Sequence, residues 1–403
     1  MKKMFEKLIA VPFIFIFITS GLIPSICGSI EKSNDLSNVY DDELDNIIEG
    51  WMEHAHFPGV ACCIVKNNTL AWAKPYGYSN IGWGSHFKKP MTNDTIFAMA
   101  SISKSIAAVA IMQLVETGKL NLDENISKYL PFDLKNPKYP NVNISARMLL
   151  AHQSSIKNLG FFHSIVYNFA KNHLEWTKNY AKKPSSWFDY APGENVTYGS
   201  IDIDILGYVV ENITGKKYAD YCKENIFEPL KMYNTSFFLS DYKLNQLVRQ
   251  YVWFKTFYVR IPFIKISEAI FPAGGVRSSI NDMSHFLIMH TSNGTYDGVR
   301  ILNESSVQEM HKAQYPETLD EGHYHGLGWY FKNYTGYGKI GGHDGTHLGS
   351  YSIMKMRYSD RTGILYFYNQ HPYLLSNLDK KPIEEKEAVN GIREALFDKA
   401  DEL

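Results

Sequence analysis

The chain has 403 residues, of which 45% are hydrophobic, so it can bury a large core in one or two closely associated domains. Lysine and arginine number 41 and aspartate and glutamate 42, a balance that excludes a broad charged surface for nucleic acid or acidic membrane. The composition therefore indicates a globular protein whose partner is a small molecule or a short peptide.

The N-terminus has the form of a secretory signal. Early lysines precede an apolar run from Leu8 to Ile18, and small residues follow as far as Gly28. We predict that residues 1–28 are removed as a signal peptide, with an uncleaved membrane anchor as the alternative. No later segment is long and apolar enough to span a bilayer, so no membrane span is expected after cleavage.

Two further features agree with a secretory route. The last four residues, 400–403, read Ala-Asp-Glu-Leu and resemble the Lys-Asp-Glu-Leu signal for retrieval to the endoplasmic reticulum. We predict a glycoprotein of the endoplasmic reticulum lumen, with secretion or a lysosome-like compartment as the alternative. Glycosylation sequons occur at Asn67, Asn93, Asn125, Asn143, Asn195, Asn212, Asn234, Asn293, Asn303 and Asn333.

The cysteines indicate neither a disulfide framework nor a metal site. Cys62, Cys63 and Cys222 remain after signal removal, an odd number with two adjacent members. Cys62 and Cys63 alternate between the faces of a predicted strand, where small thiols pack well, so a buried structural role is favoured over a redox or metal role. No spacing of cysteine and histidine resembles a zinc site, and neither a metal nor a cofactor is expected.

The first predicted elements are a helix and a hairpin. The stretch DDELDNIIEGWMEHA places Leu44, Ile47, Ile48 and Trp51 on one helical face that should pack against a sheet. The stretch GVACCIVKNNTLAWAKPYGYSNI then predicts two antiparallel strands around a turn at residues 67–68.

Strands return only near the end of the chain. Residues from about 95 to 290 have a mostly helical pattern. Strands are then predicted in GLGWYF, SYSIMKMRY and GILYFYNQ, before a final amphipathic helix. We predict an α+β fold in which both chain ends form one antiparallel sheet flanked by helices, with a helical lobe at about 95–290 between them.

Two middle segments are unusually aromatic. Ordinary core packing accounts for such residues, and an apolar wall over a substrate cleft is the alternative. The first segment holds Phe161, Phe162, Tyr167, Phe169, Trp176, Trp187, Phe188 and Tyr190, and the second holds Tyr251, Trp253, Phe254, Phe257, Tyr258 and Phe263.

Ser101 and Lys104 stand three residues apart at the start of the predicted helix SKSIAAVAIMQLVETG. Both side chains then lie on one face near the positive end of the helix. A partly desolvated lysine can activate a serine at neutral pH as a base or as a cation. The alternative is a helix cap followed by a lysine whose charged end reaches solvent.

Four later blocks decide between these interpretations: ARMLLAHQSS, YGSIDIDILGYVVENITG, FPAGGVRSSINDMSHFL and GGHDGTHLGS. Together with Ser-x-x-Lys, in this order and spacing, they resemble the serine beta-lactamase-like family over about residues 40–395. The resemblance is to its class C branch of esterases, D-amino-acid peptidases and beta-lactamase-related proteins. It implies a beta-lactamase/transpeptidase-like fold.

The resemblance assigns the first two motifs. Ser101 would be the nucleophile, Lys104 its activating lysine and Tyr198 the base toward the serine. A phenol is a weak base in water, but an adjacent ammonium favours its phenolate. The family motif is Tyr-x-Asn, whereas this chain has Ser200 in the third place, with a shorter hydroxyl that reaches less far toward a substrate amide.

The third motif matches His343-Asp344-Gly345. By resemblance, the N–H groups of Ser101 and Thr346 would form an oxyanion hole, and His343 would stabilise charge or orient Tyr198. Gly345 would let substrate approach the backbone. Ser200, Gly345 and Thr346 are thus the expected substrate-binding residues.

Other residues near the motifs are expected to support the fold. Asp202 and Asp204 lie in a first helical turn, where carboxylates complement the helix dipole. His152 matches a family histidine that is expected to order a loop near the cleft. The stretch 272–276 should bring backbone close to the site from behind. His347 stands where proline is common, a change without a physical explanation in the sequence.

The motifs predict a metal-independent serine hydrolase that forms an acyl-enzyme with an ester, and with an amide or D-amino-acid peptide as second choice. The alternative is a catalytically silent relative that serves as a binding or scaffold protein of the secretory pathway. The sequence does not set the oligomeric state.

Overall fold

The computed structural model describes residues 42–82, 87–158, 173–254, 256–261, 271–315, 323–371 and 382–403. The predicted signal peptide therefore lies outside the described residues. The helices are α1 (Asp42–His54), α2 (Ser103–Glu116), α3 (Ala146–Leu150), α4 (His173–Ala181), α5 (Ile201–Thr214), α6 (Tyr218–Cys222), α7 (Phe271–Gly274), α8 (Ile280–Thr291), α9 (Glu304–Met310) and α10 (Ile383–Glu402). The strands are β1 (Gly59–Lys66), β2 (Thr69–Asn80), β3 (Lys89–Pro90), β4 (Phe97–Ala98), β5 (Gln250–Phe254), β6 (Phe257–Ile261), β7 (Arg277–Ser278), β8 (Thr295–Tyr296), β9 (Val299–Arg300), β10 (Tyr324–His325), β11 (Tyr330–Tyr334), β12 (Gly338–His347), β13 (Ser350–Arg357) and β14 (Gly363–Tyr368).

Within these ranges the main sheet has eight strands in the order β10-β11-β12-β13-β14-β1-β2-β3, and each neighbouring pair is antiparallel. The two ends of the chain meet inside it, because β14 pairs with β1 from Val60 opposite Tyr368 to Val65 opposite Gly363. The predicted α+β fold with one antiparallel sheet from both chain ends is confirmed.

The predicted hairpin is β1 and β2. Asn67 and Asn68 have φ angles of 51° and 62°, the left-handed backbone that tight hairpin turns require and that asparagine tolerates. Cys62 and Cys63 are both buried and unpaired, and they point into the cores on opposite faces of the sheet.

Each face of the sheet carries its own core. One face packs against α1 and α10, and the other packs against α8, with a core that continues into α2 and α5. Of the face predicted for α1, Leu44 and Ile48 are buried and Trp51 is partly buried. Ile47 was wrongly included, because it is 40% exposed at the edge of the stripe.

The last helix includes the retrieval-like tail. α10 continues to Glu402, Ala400 is buried, and Arg357 donates to the carboxylate of Asp401 at 3.1 Å. Retrieval to the endoplasmic reticulum stays a prediction. A retrieval receptor would have to bind Leu403 directly after the end of α10, which is packed on the fold. In the described ranges no helix combines the length and the apolar character needed to cross a membrane.

Candidate active site

Ser101 and Lys104 lie where a short 3-10 turn, Ala100–Ile102, passes into α2. The Lys104 side chain is 0% exposed, and its Nζ donates to Ser101 Oγ at 3.0 Å and to the carbonyl oxygen of Ala273 at 2.9 Å. Neither the turn nor α2 begins with a side-chain cap. The geometry therefore rules out a capping serine with a solvent-directed lysine.

The backbone just before Ser101 is strained. Ala100 has φ of +44°, a left-handed conformation that costs free energy for a residue with a Cβ. A Cβ added to Gly345 on β12 would lie 2.0 Å from the carbonyl oxygen of Met99. Glycine at 345 thus allows the edge of β12 to press against the turn that holds Ser101.

Tyr198 stands among three basic side chains. Lys104 Nζ lies 5.0 Å from the centre of its ring. The rings of His152 and His343 lie 4.5 Å and 6.1 Å from it, centre to centre. The Tyr198 side chain is 36% exposed, so it borders both the buried ammonium and solvent. The structure thus brings together Ser101, Lys104, Tyr198 and His343.

His343 is held in one orientation on β12. Its Nδ1 lies 2.8 Å from the carbonyl oxygen of Asp344, which can only accept, so Nδ1 carries the proton and donates. Burial lowers the pKa of His343 to about 3, and the nearby charge of Lys104 acts in the same direction. His343 is therefore neutral at physiological pH, with Nε2 as a hydrogen-bond acceptor.

His152 and Asp202 support the segment that carries Tyr198. The N–H of Gly199 donates to His152 Nδ1 at 3.4 Å, Asp202 Oδ2 lies 3.4 Å from the same nitrogen, and Ser154 donates to Asp202 Oδ1 at 2.5 Å. Burial lowers the pKa of His152 and raises the pKa of Asp202, so burial favours the neutral form of both groups.

Asp204 and the stretch 272–276 support Lys104 from behind. Asp204 Oδ1 accepts from the N–H of Ala273 at 3.2 Å, and the carbonyl of Ala273 accepts from Lys104. Burial raises the pKa of Asp204 to about 8, although the Lys104 charge acts to lower it. Both aspartates lie in the first turn of α5, as the sequence predicted, and both are 1% exposed.

A family model described as Beta-lactamase matches residues 44–384. The chain belongs to the beta-lactamase family. Protein flp of Staphylococcus aureus strain MW2 is 30% identical over 209 residues, which are 52% of this chain and 40% of that protein. The match therefore spans about two fifths of the length of this curated relative.

Solved structures of two other proteins are similar to this beta-lactamase-family chain. The octameric penicillin-binding protein homologue from Pyrococcus abyssi has 25% identity and a TM-score of 0.70, over 81% of this chain and 73% of that one. The D-amino acid amidase from Ochrobactrum anthropi SV3, complexed with L-phenylalanine amide, has 21% identity and a TM-score of 0.70, over 89% of this chain and 99% of that one. The second likeness shows the fold.

Gly345 and Thr346, two of the residues expected to bind substrate, follow His343 on β12, and Ser200, the third, lies two residues after Tyr198. Gly345 contacts the turn before Ser101, and exposed Thr346 pairs with Tyr351 one step further along β12. Ser200 directly precedes α5, and its N–H donates to Asn158 Oδ1 at 3.1 Å. An asparagine amide from another segment thus lies next to the position where the family has its own asparagine.

Sequence reasoning missed Asn158 and His325. The His325 ring, 8% exposed, lies 5.8 Å from the ring of His152 at an interplanar angle of 87°. Nothing in their local sequence indicates a site, since each lies far along the chain from the motif it contacts.

His347, which replaced an expected proline, is buried and accepts from Gln250 Nε2 at 2.8 Å. It therefore ties the β12–β13 turn to β5.

The described part of the second aromatic segment packs in part against the end of α1, and Phe263 lies outside the described residues. Its Trp253 stacks on His56 with ring centres 4.2 Å apart, just beyond the end of α1. Tyr258 donates to the carbonyl of His56 at 3.1 Å. In the first segment, Trp187 is fully buried, while residues 161–169 lie outside the described residues.

Proposed function

We propose that this chain is a serine hydrolase that works through an acyl-enzyme, with carboxylic esters as its first substrate class. The observation that supports this most is the fully buried Lys104, whose Nζ lies 3.0 Å from Ser101 Oγ. Burying an ammonium without a carboxylate partner costs free energy, so such a residue is expected to have a chemical role.

The proposed acylation step uses the groups around Tyr198. Ser101 Oγ attacks the ester carbonyl carbon while its proton passes to the phenolate oxygen of Tyr198. Collapse of the tetrahedral intermediate breaks the C–O bond, and the alcohol leaves with that proton. A water then attacks the acyl-enzyme in the same way and releases the carboxylic acid and free Ser101.

The geometry supports one of the two roles considered for His343. A neutral ring whose Nδ1–H is held by the Asp344 carbonyl cannot donate to a developing oxyanion. Its Nε2 can accept a hydrogen bond, and the Tyr198 ring lies 6.1 Å away. We therefore assign His343 to orienting Tyr198, and the oxyanion to the backbone N–H groups of Ser101 and Thr346.

A fluorophosphonate probe tests the proposal, because only an activated serine reacts with it. We expect labelling of the native chain and none of Ser101→Ala. Ser101 is partly exposed, so water can replace its hydroxyl, and the variant should lose only about 1 kcal/mol of stability. Absence of labelling in folded native protein would support the catalytically silent alternative, and labelling of Ser101→Ala would show a different nucleophile.

Amide hydrolysis is the second candidate, and Asn158 is the observation that favours it. With its Oδ1 engaged by the N–H of Ser200, the Asn158 Nδ2 can donate to a substrate carbonyl. The D-amino acid amidase of similar fold agrees with this chemistry. If Asn158 binds the amide, Asn158→Ala should lower kcat/KM for D-phenylalanine amide at least about tenfold, the loss of one good hydrogen bond, and spare p-nitrophenyl butyrate. Equal losses for both substrates would exclude this role.

A further inference from the structure

A cavity of about 410 Å³ lies among α8, α9, β12 and β13. None of Ser101, Lys104, Tyr198 and His343 lines it. Its lining includes His290, His311, Tyr358, Lys312, Lys339 and Arg361. Two lysines, one arginine and two imidazoles thus line one cavity outside the proposed catalytic set.

The cations of this cavity are held by carbonyls and rings. Lys339 Nζ lies 3.8 Å from the ring centre of Phe331 and 4.2 Å from that of Tyr358, and it donates to the His311 carbonyl at 3.3 Å. Arg361 Nη1 donates to the Thr291 carbonyl at 3.2 Å. Within the described part of the chain, no carboxylate forms an ion pair with Lys312, Lys339 or Arg361.

The imidazoles add hydrogen-bonding capacity without adding charge. His311 Nε2 lies 3.2 Å from His290 Nδ1, and the buried His290 Nε2 has no hydrogen-bond partner among the described residues. Burial lowers the pKa of both rings, to about 3 for His290. Glu304 accepts from the neutral side chains of Asn293 and Gln308, two residues of the lining, and so keeps its negative charge beside the cavity. Among the described residues, the three cations of the lining outnumber this carboxylate, so the cavity carries a net positive charge.

We propose that this cavity binds the dianionic phosphoryl group of a small molecule, as a phosphomonoester or as free phosphate. Lys339 and Arg361 would contact the phosphoryl oxygens, and Lys312 would complete the site at the mouth. Lys339 is half-buried, so its pairing with a phosphate gains from a local dielectric lower than that of water, whereas Arg361 and Lys312 are exposed and contribute less. One water occupies about 30 Å³ of the liquid, so the cavity holds a phosphate with room for an attached organic group.

Titration calorimetry in chloride buffer tests the site on the full chain. The protein is produced in bacteria, so that Asn293, which is part of an Asn-Gly-Thr sequon at the cavity, carries no glycan. Inorganic phosphate and phenyl phosphate are the two probes. We expect binding to native protein and to Ser101→Ala alike, since this site does not depend on the proposed hydrolase. Tighter binding of phenyl phosphate would identify a phosphomonoester site, and equal or tighter binding of phosphate a free-anion site.

Charge-matched variants separate the cavity from a general salt effect. Lys339→Gln with Arg361→Gln should weaken binding at least about tenfold, since each removes a charge-assisted hydrogen bond. Lys88→Gln with Lys243→Gln removes two exposed cations elsewhere and should bind as the native chain does. Lys312→Gln, an exposed position, should weaken binding several-fold and serves if the first pair fails to fold. No binding to native protein, or equal binding by native protein and the cavity variants, would overturn the proposal.

Discussion

At the scale of single residues, Lys104 is the side chain whose environment least resembles that of an ordinary lysine. It is fully buried, and the partners of its ammonium are a hydroxyl and a carbonyl. Such groups satisfy hydrogen bonds but do not neutralise charge, so the folded state bears a desolvation cost at this position.

Lys104→Met tests whether the buried ammonium is needed to activate Ser101 rather than to stabilise the fold. Methionine has a similar length and no charge, so we expect the variant to unfold at the same temperature as the native chain or a higher one. We also expect it to lose fluorophosphonate labelling, because nothing remains to activate Ser101. Differential scanning calorimetry and gel fluorescence measure the two properties. A much lower unfolding temperature would show instead that the ammonium holds the turn at Ala100–Ile102 together.

The sequence predicted the proximity of the proposed catalytic residues better than it predicted their surroundings. Ser101, Lys104, Tyr198 and His343 stand in motifs with fixed spacing, so their proximity could be inferred. Asn158 could not, because it reaches the site only through the packing of its loop against Ser200. The burial of Asp204 could not be inferred either, because Ala273, whose N–H donates to its carboxylate, is distant in the chain.

At the scale of elements, β12 contributes most to the site. It carries His343, Gly345 and Thr346 and pairs with β11 and β13 along its length. The sequence predicted β13 and β14 from their apolar residues, but the GKIGGHDGTH of β12 has too few such residues to show a strand pattern. The sequence missed the β5–β6 hairpin for a different reason. Its aromatic residues were assigned to the helical lobe at about 95–290, but β5 and β6 lie inside that range and pair with each other as strands.

Gly345→Ala tests the contact between β12 and the nucleophile turn. The new Cβ would lie 2.0 Å from the Met99 carbonyl oxygen and 3.3 Å from the Ala100 Cβ, so strand and turn must separate. We expect the free energy of unfolding to fall by about 1–3 kcal/mol, a typical cost of overpacking, and kcat to fall further than KM rises. Gly50→Ala is the control, since a Cβ there meets nothing within 4 Å. Unchanged activity in Gly345→Ala would show that this contact does not position Ser101.

At the scale of the whole molecule, buried titratable groups make stability depend on pH. Burial lowers the pKa of five buried histidines, so the unfolded chain binds their protons below about pH 6.5 while the folded chain does not. Each therefore destabilises the fold as the pH falls. Asp202 and Asp204, whose pKa values burial raises, act in the opposite direction. The histidines are His152, His290, His311, His343 and His347.

Because the histidines outnumber these carboxyls, we expect the unfolding temperature to be highest near neutral pH and to fall between about pH 6.5 and pH 5. Each histidine contributes up to about 1.4 kcal/mol per pH unit in this window. Scanning calorimetry at a series of pH values measures how steeply stability falls as the pH falls. His290→Gln removes one of the five histidines, so the fall should become shallower by the contribution of one histidine. A stability that rises steadily toward pH 5 would mean that the carboxyls dominate.

The pairing of β1 with β14 also determines when the proposed active site can form during synthesis. Val60 on β1 can pair with Tyr368 on β14 only after Tyr368 has been synthesised. The strand that carries His343, β12, pairs with β11 and β13, and all three are also synthesised late. A ribosome releases the chain from its N-terminus, so the first hairpin and Ser101 must remain without their sheet partners until nearly all residues have been made. Contacts this distant along the chain also slow folding. The nascent chain should therefore expose an unpaired strand edge for most of translation, depend on chaperones to protect it, and complete the surroundings of Ser101 only after release.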